Sequence, residues 1–161
     1  MTNKNELPLE SVKVLEFTHA VMGPSCGVIL ADMGADIIRV EPVTGDTTRR
    51  LRGFGIGYYP FYNRNKRCIA VDIKLKKGRD IIHKLVGETD VIVENLGPGT
   101  MDRLGYGFDQ MKEVNPQLIY ASLKVFLSGP YEKRHAMDEV IQMMGGLAYM
   151  TGLPGQPTRA G

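Results

Sequence analysis

The sequence predicts an α/β layered fold with a mainly parallel sheet. Five short runs rich in apolar residues alternate along the chain with about four segments of helical periodicity. The 19 glycines and 9 prolines lie mostly between these segments, where the connections of an α/β fold need them. A chain of 161 residues is also long enough to bury a hydrophobic core.

The first strand is predicted at residues 12–17 and the second at residues 36–40, with a helix between them. Pro24 suits the first turn of that helix, because its missing N–H group would have no partner there, and Gly34 suits the helix end. Strand, helix and strand in this order form a right-handed unit with parallel strands. The unit lacks G-x-G-x-x-G, so it is not a usual dinucleotide fingerprint.

Residues 41–67 are predicted to form a long, irregular connection that contains Arg49, Arg50 and Arg52, then the alternating glycines at 53–57, then four aromatic residues at 58–62. Connections of this length in compact domains are usually functional or ordered by a partner. The alternating glycines at 53–57 are interpreted as a flexible surface loop, and the aromatic residues after them as packing groups.

The third strand is predicted at residues 68–73 and a helix at residues 78–86. Basic residues at both ends of this strand could bind phosphates or could form a solvated charge cluster. His83 lies on the helix without an acidic or cysteine partner nearby in the sequence, and we interpret it as a surface or packing residue.

The fourth strand, around residues 91–93, is a continuous apolar run that ends in a Gly-Pro-Gly turn at residues 97–99. Arg103 follows one helical turn later. This stretch is either one wall of a site for a large, phosphate-bearing molecule or an ordinary connection with an exposed arginine. A short helix around residues 108–114, a fifth strand at 118–123, a last helix at 136–144 and a loop-like tail complete the prediction.

Composition excludes several other classes of protein. The formal net charge of +2 does not by itself indicate nucleic-acid binding. Cys26 and Cys68 form no CxxC pair, and the histidines are not clustered, so we expect neither a metal site nor a disulfide framework. The first eleven residues are polar and lack the apolar core of a signal peptide, and no run of apolar residues approaches the length of a membrane span. We expect a cytoplasmic protein without membrane association.

Several sequence stretches form a recognisable series over nearly the whole chain. They include VLEFTH at residues 14–19, ADMGADIIRVE at 31–41, residues 90–105, NPQLIYAS at 115–122 and DEVIQMMGG at 138–146. Their order and sequence resemble the N-terminal part of a family III CoA-transferase, the family of formyl-CoA, carnitine and related CoA-transferases. The resemblance implies a Rossmann-like three-layer domain that is incomplete in this chain.

The resemblance also implies a domain organisation and a reaction. Residues 1–161 would be the N-terminal portion of the large CoA-binding domain, without the small domain and the C-terminal segment, and the full-length protein would be an interlocked homodimer. Family members move CoA between an acyl-CoA thioester and a small carboxylic acid through an aspartyl-anhydride intermediate, and they bind no cofactor tightly. Their nucleophilic aspartate follows the position of Gly161, so we expect no catalytic residue here and an inactive chain when it is alone. Asp138 matches an acidic position near the family's active site.

The resemblance assigns CoA contacts to five segments of the chain. They are His19, Ala20 and Val21; Val71, Asp72, Ile73 and Lys74; Asn95, Leu96 and Gly97; Arg103; and Arg134, His135, Ala136 and Met137.

Two other functions remain as alternatives. An α-methylacyl-CoA racemase would share the fold, but its histidine base falls at Met137, and methionine cannot act as a general base. A non-catalytic CoA-binding fragment is the second alternative.

Overall fold

The computed structural model describes residues 7–160, which contain one five-stranded parallel sheet with the strand order β3-β2-β1-β4-β5. This is the order of a doubly wound, Rossmann-like sheet. The strands are β1 (Lys13–Phe17), β2 (Asp36–Glu41), β3 (Arg67–Ala70), β4 (Val91–Glu94) and β5 (Ile119–Ser122). The predicted α/β fold with parallel strands is confirmed.

Seven α-helices and two short 3-10 helices occur in the described residues. The α-helices are α1 (Met22–Asp32), α2 (Tyr58–Tyr62), α3 (Lys76–Val86), α4 (Thr100–Leu104), α5 (Phe108–Val114), α6 (Asp138–Met144) and α7 (Leu147–Thr151). The 3-10 helices are Thr47–Arg50 and Gly53–Gly57. None of the described helices is long and apolar enough to cross a membrane.

The sheet buries a hydrophobic cluster on each face, because successive side chains of a strand point to opposite sides. Leu15 and Ile92 belong to the cluster that also contains Ile82 of α3. Val14 and Val93, their neighbours along the strands, belong to the second cluster, with Ala31 of α1. Because helices cover both faces of the sheet, the buried strands need apolar residues at successive positions, and these continuous apolar runs are the pattern from which the strands are predicted.

The structure corrects three details of the sequence prediction. Residues 41–67 are not irregular, since they contain both 3-10 helices and α2. The third strand ends at Ala70 instead of residue 73, because residues 71–75 turn towards α3. The prediction of about four helices was too low, because one-turn helices such as α2 and α7 are shorter than the periodic pattern used to find them. His83 is exposed and lies edge-on to Tyr106, as interpreted.

Residues 7–160 divide into two compact units, with the boundary between Leu123 and Lys124. The second unit contains α6 and α7. Its buried Gln142 accepts a hydrogen bond from the N–H of Ala160 (2.8 Å) and donates to Asp138 (2.6 Å) and to the Ala160 carbonyl (3.2 Å). Asp138 lies in the first turn of α6 and holds the side-chain amide of Gln142, which in turn binds the backbone of Ala160.

Candidate ligand-binding site

A cavity of about 640 Å³ lies at the carboxyl ends of the parallel strands in the first unit. Its walls come from residues 17–19 of β1 and the following turn, residues 40–47 of β2 and its connection, residues 71–74 after β3, and Leu96 after β4. Parallel α/β sheets bind their ligands at this edge, and the volume lies in the range of about 300–1,000 Å³ usual for small-molecule sites.

The structure brings together six of the residues predicted to contact a ligand. These cavity-lining residues are His19, Val71, Asp72, Ile73, Lys74 and Leu96. Asn95 holds the backbone of the lining residue His19, because its side chain accepts a hydrogen bond from the N–H of His19 (2.9 Å) and donates one to the His19 carbonyl (3.0 Å). The turns after β1 and β4 are therefore joined beside the cavity.

The remaining predicted residues do not line this cavity. Ala20, Val21 and Gly97 follow directly after lining segments, and Ala20 has a left-handed backbone with φ of 60°. Arg103 donates a hydrogen bond to the Thr100 hydroxyl (2.9 Å) on its own helix. The other four belong to the second unit: Arg134, His135, Ala136 and Met137. In that unit the Arg134 guanidinium lies 5.0 Å from the Tyr131 ring centroid, and Met137 is 75% exposed.

Residues 71–74 form a wall that is held by two hydrogen bonds from other segments and one within the wall. The N–H of Val71 donates to the Glu41 carbonyl (3.0 Å), and the buried Tyr106 hydroxyl donates to the Ile73 carbonyl (2.6 Å). The Asp72 carboxylate accepts a hydrogen bond from the N–H of Lys74 (3.0 Å). Burial raises the pKa of Tyr106, so its hydroxyl remains protonated and available as the donor.

A buried ion cluster, which was not predicted from the sequence, supports the wall formed by residues 40–47. At its centre Arg39, only 1% exposed, donates to Glu41 (3.1 Å), to the Thr18 carbonyl (3.0 Å) and to Asp46, and its Nε lies 3.4 Å from Glu16. Burial alone would lower the pKa of Arg39, but the hydrogen bond to Asp46 and the surrounding carboxylates raise it. One guanidinium thus connects β1, β2 and the following turn.

Glu41 is the second centre of this cluster and is 4% exposed. Arg49 donates to both of its carboxylate oxygens (2.9 Å each), and the Tyr59 hydroxyl donates to Oε1 (2.6 Å). The Arg49 guanidinium also lies 3.8 Å from the centre of the Tyr59 ring. Burial opposes ionisation, but these donors and the N–H of Asp46 outweigh it and lower the pKa of Glu41 to about 2.

Lys66 extends the cluster to the N-terminal part of α1. Its ammonium group lies 2.9 Å from Glu16 and donates to the Pro24 carbonyl (2.8 Å), with both charged side chains excluded from water. Burial lowers the pKa of Lys66 despite the attraction of Glu16. Helix α1 can approach this pair only because residue 27 is glycine, since a Cβ atom there would lie 1.8 Å from a Glu16 oxygen.

A sequence signal for this cluster does exist. Glu16, Arg39 and Glu41 are charged residues inside strands whose neighbours are apolar, and a charged group is almost never buried in such a strand without a partner. The alternation Ile37, Arg39, Glu41 places the two charges on one face of β2. The partners Asp46 and Arg49 could not be identified, because they lie in a connection whose path has no periodic pattern.

The fold, the cavity at the carboxyl edge and the sequence together define the class of protein. A model of CoA-transferase family III matches residues 9–161, so the chain belongs to that family. The predicted family is confirmed.

Among relatives with known functions, the chain is similar to formyl-CoA:oxalate CoA-transferases. It is 43% identical to that of Rhodopseudomonas palustris strain HaA2 over 154 residues, which cover 92% of this chain and 36% of the relative. It is 41% identical to that of Streptomyces avermitilis, with 94% of this chain and 38% of the relative covered. The chain therefore spans little more than a third of the length of these relatives.

Solved structures show the same fold. A CAIB/BAIF family protein from Brucella suis superposes with a TM-score of 0.88 and 38% identity, covering 97% of this chain and 44% of that protein. Rv3272 from Mycobacterium tuberculosis, solved as its D175A mutant, gives a TM-score of 0.85 and 35% identity, with 94% and 43% covered.

Proposed function

We propose that the chain is the CoA-binding part of an enzyme that moves CoA between an acyl-CoA thioester and a free carboxylic acid. The observation that carries the proposal is the cavity at the carboxyl edge of the sheet, in a chain that belongs to CoA-transferase family III. Residues 1–161 would form the N-terminal portion of the large domain of that enzyme.

The lining of the cavity supports a ligand that has both apolar and charged groups. The cavity is lined by apolar groups such as Val40, Val71 and Leu96, with Lys74 among its exposed polar residues. An apolar pocket with a few placed polar groups is the usual form of a cofactor site. We propose that His19, residues 71–74 and Leu96 contact CoA directly, with Asn95 holding His19 in place. Contacts by Arg103 and residues 134–137 remain part of the proposal.

The reaction proposed is a covalent acyl transfer. An aspartate that follows Gly161 in the complete protein attacks the thioester carbonyl. The C–S bond breaks, CoA leaves as a thiolate, and a mixed anhydride of the aspartate and the acyl group remains on the enzyme. The thiolate then attacks the aspartyl carbonyl of the anhydride, which releases the first acid and leaves CoA bound as an enzyme thioester. The second carboxylic acid collects CoA from this thioester by the same steps in reverse.

Similarity to formyl-CoA:oxalate CoA-transferases favours small acids as substrates. We propose formyl-CoA as the first donor to test and oxalate as the first acceptor. We further propose a homodimer in the cytoplasm for the complete protein.

The test uses the protein encoded by the complete reading frame that contains residues 1–161. With formyl-CoA and oxalate, we expect oxalyl-CoA to be formed in amounts equal to the formate released, measured by chromatography. Addition of hydroxylamine during turnover should convert the anhydride or thioester into an aspartyl hydroxamate, which mass spectrometry of peptides would locate.

The outcomes separate the alternatives. CoA transfer to another acid but not to oxalate would refute only the proposed substrate. Exchange of the α-proton of an α-methylacyl-CoA with solvent deuterium, without CoA transfer, would identify a racemase. CoA binding measured by calorimetry with neither reaction would identify a binding protein, and the absence of CoA binding would refute the proposal altogether.

A further inference from the structure

The acidic residues beside the cavity are already matched by cations of the protein. Three carboxylates of the buried ion cluster face three cationic side chains, each at 4.0 Å or less from a carboxylate oxygen. These residues are Glu16, Glu41 and Asp46 on one side and Arg39, Arg49 and Lys66 on the other. The cluster therefore presents no net charge to a ligand, and its three cations are engaged by carboxylates.

The exposed charges that remain at the cavity are few. Asp72 and Lys74 both line it, two residues apart, so the ammonium of Lys74 at most offsets the Asp72 carboxylate. Arg50 does not line the cavity but adds one further positive charge next to it, because this exposed arginine forms no ion pair within the described range 7–160. Its guanidinium donates a hydrogen bond to the carbonyl of Thr44 (2.8 Å), which is itself a cavity-lining residue.

The backbone that carries Arg50 is held in place from inside the protein. Arg50 ends the 3-10 helix Thr47–Arg50, and the Asp46 carboxylate caps this helix by accepting a hydrogen bond from the N–H of Thr48 (2.6 Å). Asp46 is in turn bound by the buried Arg39. Neither Arg50 nor Arg52 lines the cavity itself, but Arg50 leaves a fixed turn and is bonded to the cavity-lining Thr44, whereas within residues 7–160 the Arg52 side chain forms no such bond to a lining residue.

We propose that Arg50 determines specificity for a phosphate-bearing ligand by binding one of its phosphate groups at the mouth of the cavity. This inference rests on the proposed function, since CoA supplies both a 3′-phosphate and a diphosphate. Four of the five guanidinium N–H groups remain after the bond to Thr44, and a guanidinium can bind phosphate oxygens through two parallel hydrogen bonds.

The test compares Arg50→Gln with Arg52→Gln in the complete protein, titrated with CoA and with dephospho-CoA in a calorimeter. Both changes remove one exposed positive charge from the same segment, so a general electrostatic effect would be equal in the two variants. We expect Arg50→Gln to weaken CoA binding roughly tenfold or more, as for a lost charge-assisted hydrogen bond, and Arg52→Gln to change it less than about twofold. Circular dichroism checks that both variants are folded, and Arg50→Lys should recover part of the affinity.

Each outcome decides the inference. A loss seen with CoA but not with dephospho-CoA assigns Arg50 to the 3′-phosphate, and an equal loss with both ligands assigns it to the diphosphate. If the unsubstituted protein binds CoA and Arg50→Gln binds it equally well, or if both variants lose affinity equally, the role of Arg50 is refuted while the proposed function stands. If the unsubstituted protein does not bind CoA, the proposed function fails and this inference fails with it.

Discussion

Replacement of Glu41 by glutamine should remove a pH-dependent part of the protein's stability. The folded protein holds the pKa of Glu41 at about 2, against an ordinary value of 4.5, because the hydrogen bonds of Arg49 and Tyr59 to the carboxylate outweigh its burial. A group whose pKa is lower in the folded state stabilises the fold when it is ionised. Its contribution is therefore complete above a pH of about 4.5 and is lost as the pH falls towards 2.

The size of this contribution follows from the difference between the two pKa values. One unit corresponds to about 1.4 kcal/mol, so a fall from 4.5 to about 2 gives a contribution on the order of 3 kcal/mol at neutral pH. Glutamine has nearly the same shape but no charge and no titration in this range. We expect Glu41→Gln to lower the free energy of unfolding by up to this amount at pH 7, and by progressively less as the pH falls below about 4.5.

Urea unfolding of both proteins at pH 7, 5.5, 4 and 3 would measure this difference. Glu139→Gln is a suitable control, because Glu139 pairs with Arg159 (2.6 Å) in a setting where both side chains are about half exposed. Pairs of that kind contribute less than about 1 kcal/mol. If the wild-type and Glu41→Gln proteins differ by the same amount at pH 7 and at pH 3, the carboxylate does not act through its charge and our account of the cluster is wrong.

Two further predictions concern the walls of the cavity. Arg39→Met should lower the free energy of unfolding in urea by about 3–5 kcal/mol, because it leaves buried carboxylates without their central cation. Arg67→Met breaks an exposed pair with Asp36 and should lower it by less than about 1 kcal/mol. Similar losses in the two variants would contradict the role of Arg39 in the buried cluster. Gly78→Ala should weaken CoA binding, measured by calorimetry, because a Cβ atom there would lie 2.0 Å from the carbonyl oxygen of residue 72. Gly57→Ala, with open space around residue 57, should leave the affinity unchanged. Unchanged affinity in both variants would show that this wall does not contact CoA.

Much of the fold could be predicted because its signals are local. Each buried strand is a short apolar run, and Gly97-Pro98-Gly99 marks the turn after β4, where the structure has Gly99 in a left-handed conformation with φ of 68°. The third strand was predicted too long, because Val71 and Ile73 are still apolar where the chain leaves the sheet and becomes the wall of the cavity. A pattern of hydrophobicity records burial and does not distinguish a strand from a buried turn.

The site could be predicted only in part, because its construction depends on distant partners. The resemblance to a family identified His19, residues 71–74 and Leu96, all of which line one cavity. The ion cluster could not be assembled from the sequence, since it joins Glu16 to Lys66 over fifty positions and Arg39 to Asp46 through an irregular turn. Pairing over such separations is determined by the packing of the strands and not by spacing along the chain.

Under the proposed function, the ion cluster would allow a cavity bounded by acidic residues to accept an anion. Glu41 and Asp46 lie in the wall, and two uncompensated carboxylates there would repel a phosphate group. Arg39 and Arg49 bind these carboxylates from the protein side, so their charges are cancelled before a ligand arrives. The ion pairs Arg39–Glu41, Arg39–Asp46 and Arg49–Glu41 join residues of the protein to one another, so the groups that neutralise the wall also fix its shape. Recognition of the proposed ligand's charge would then fall to exposed cations in or next to the lining, such as Lys74 and the Thr44-bonded Arg50.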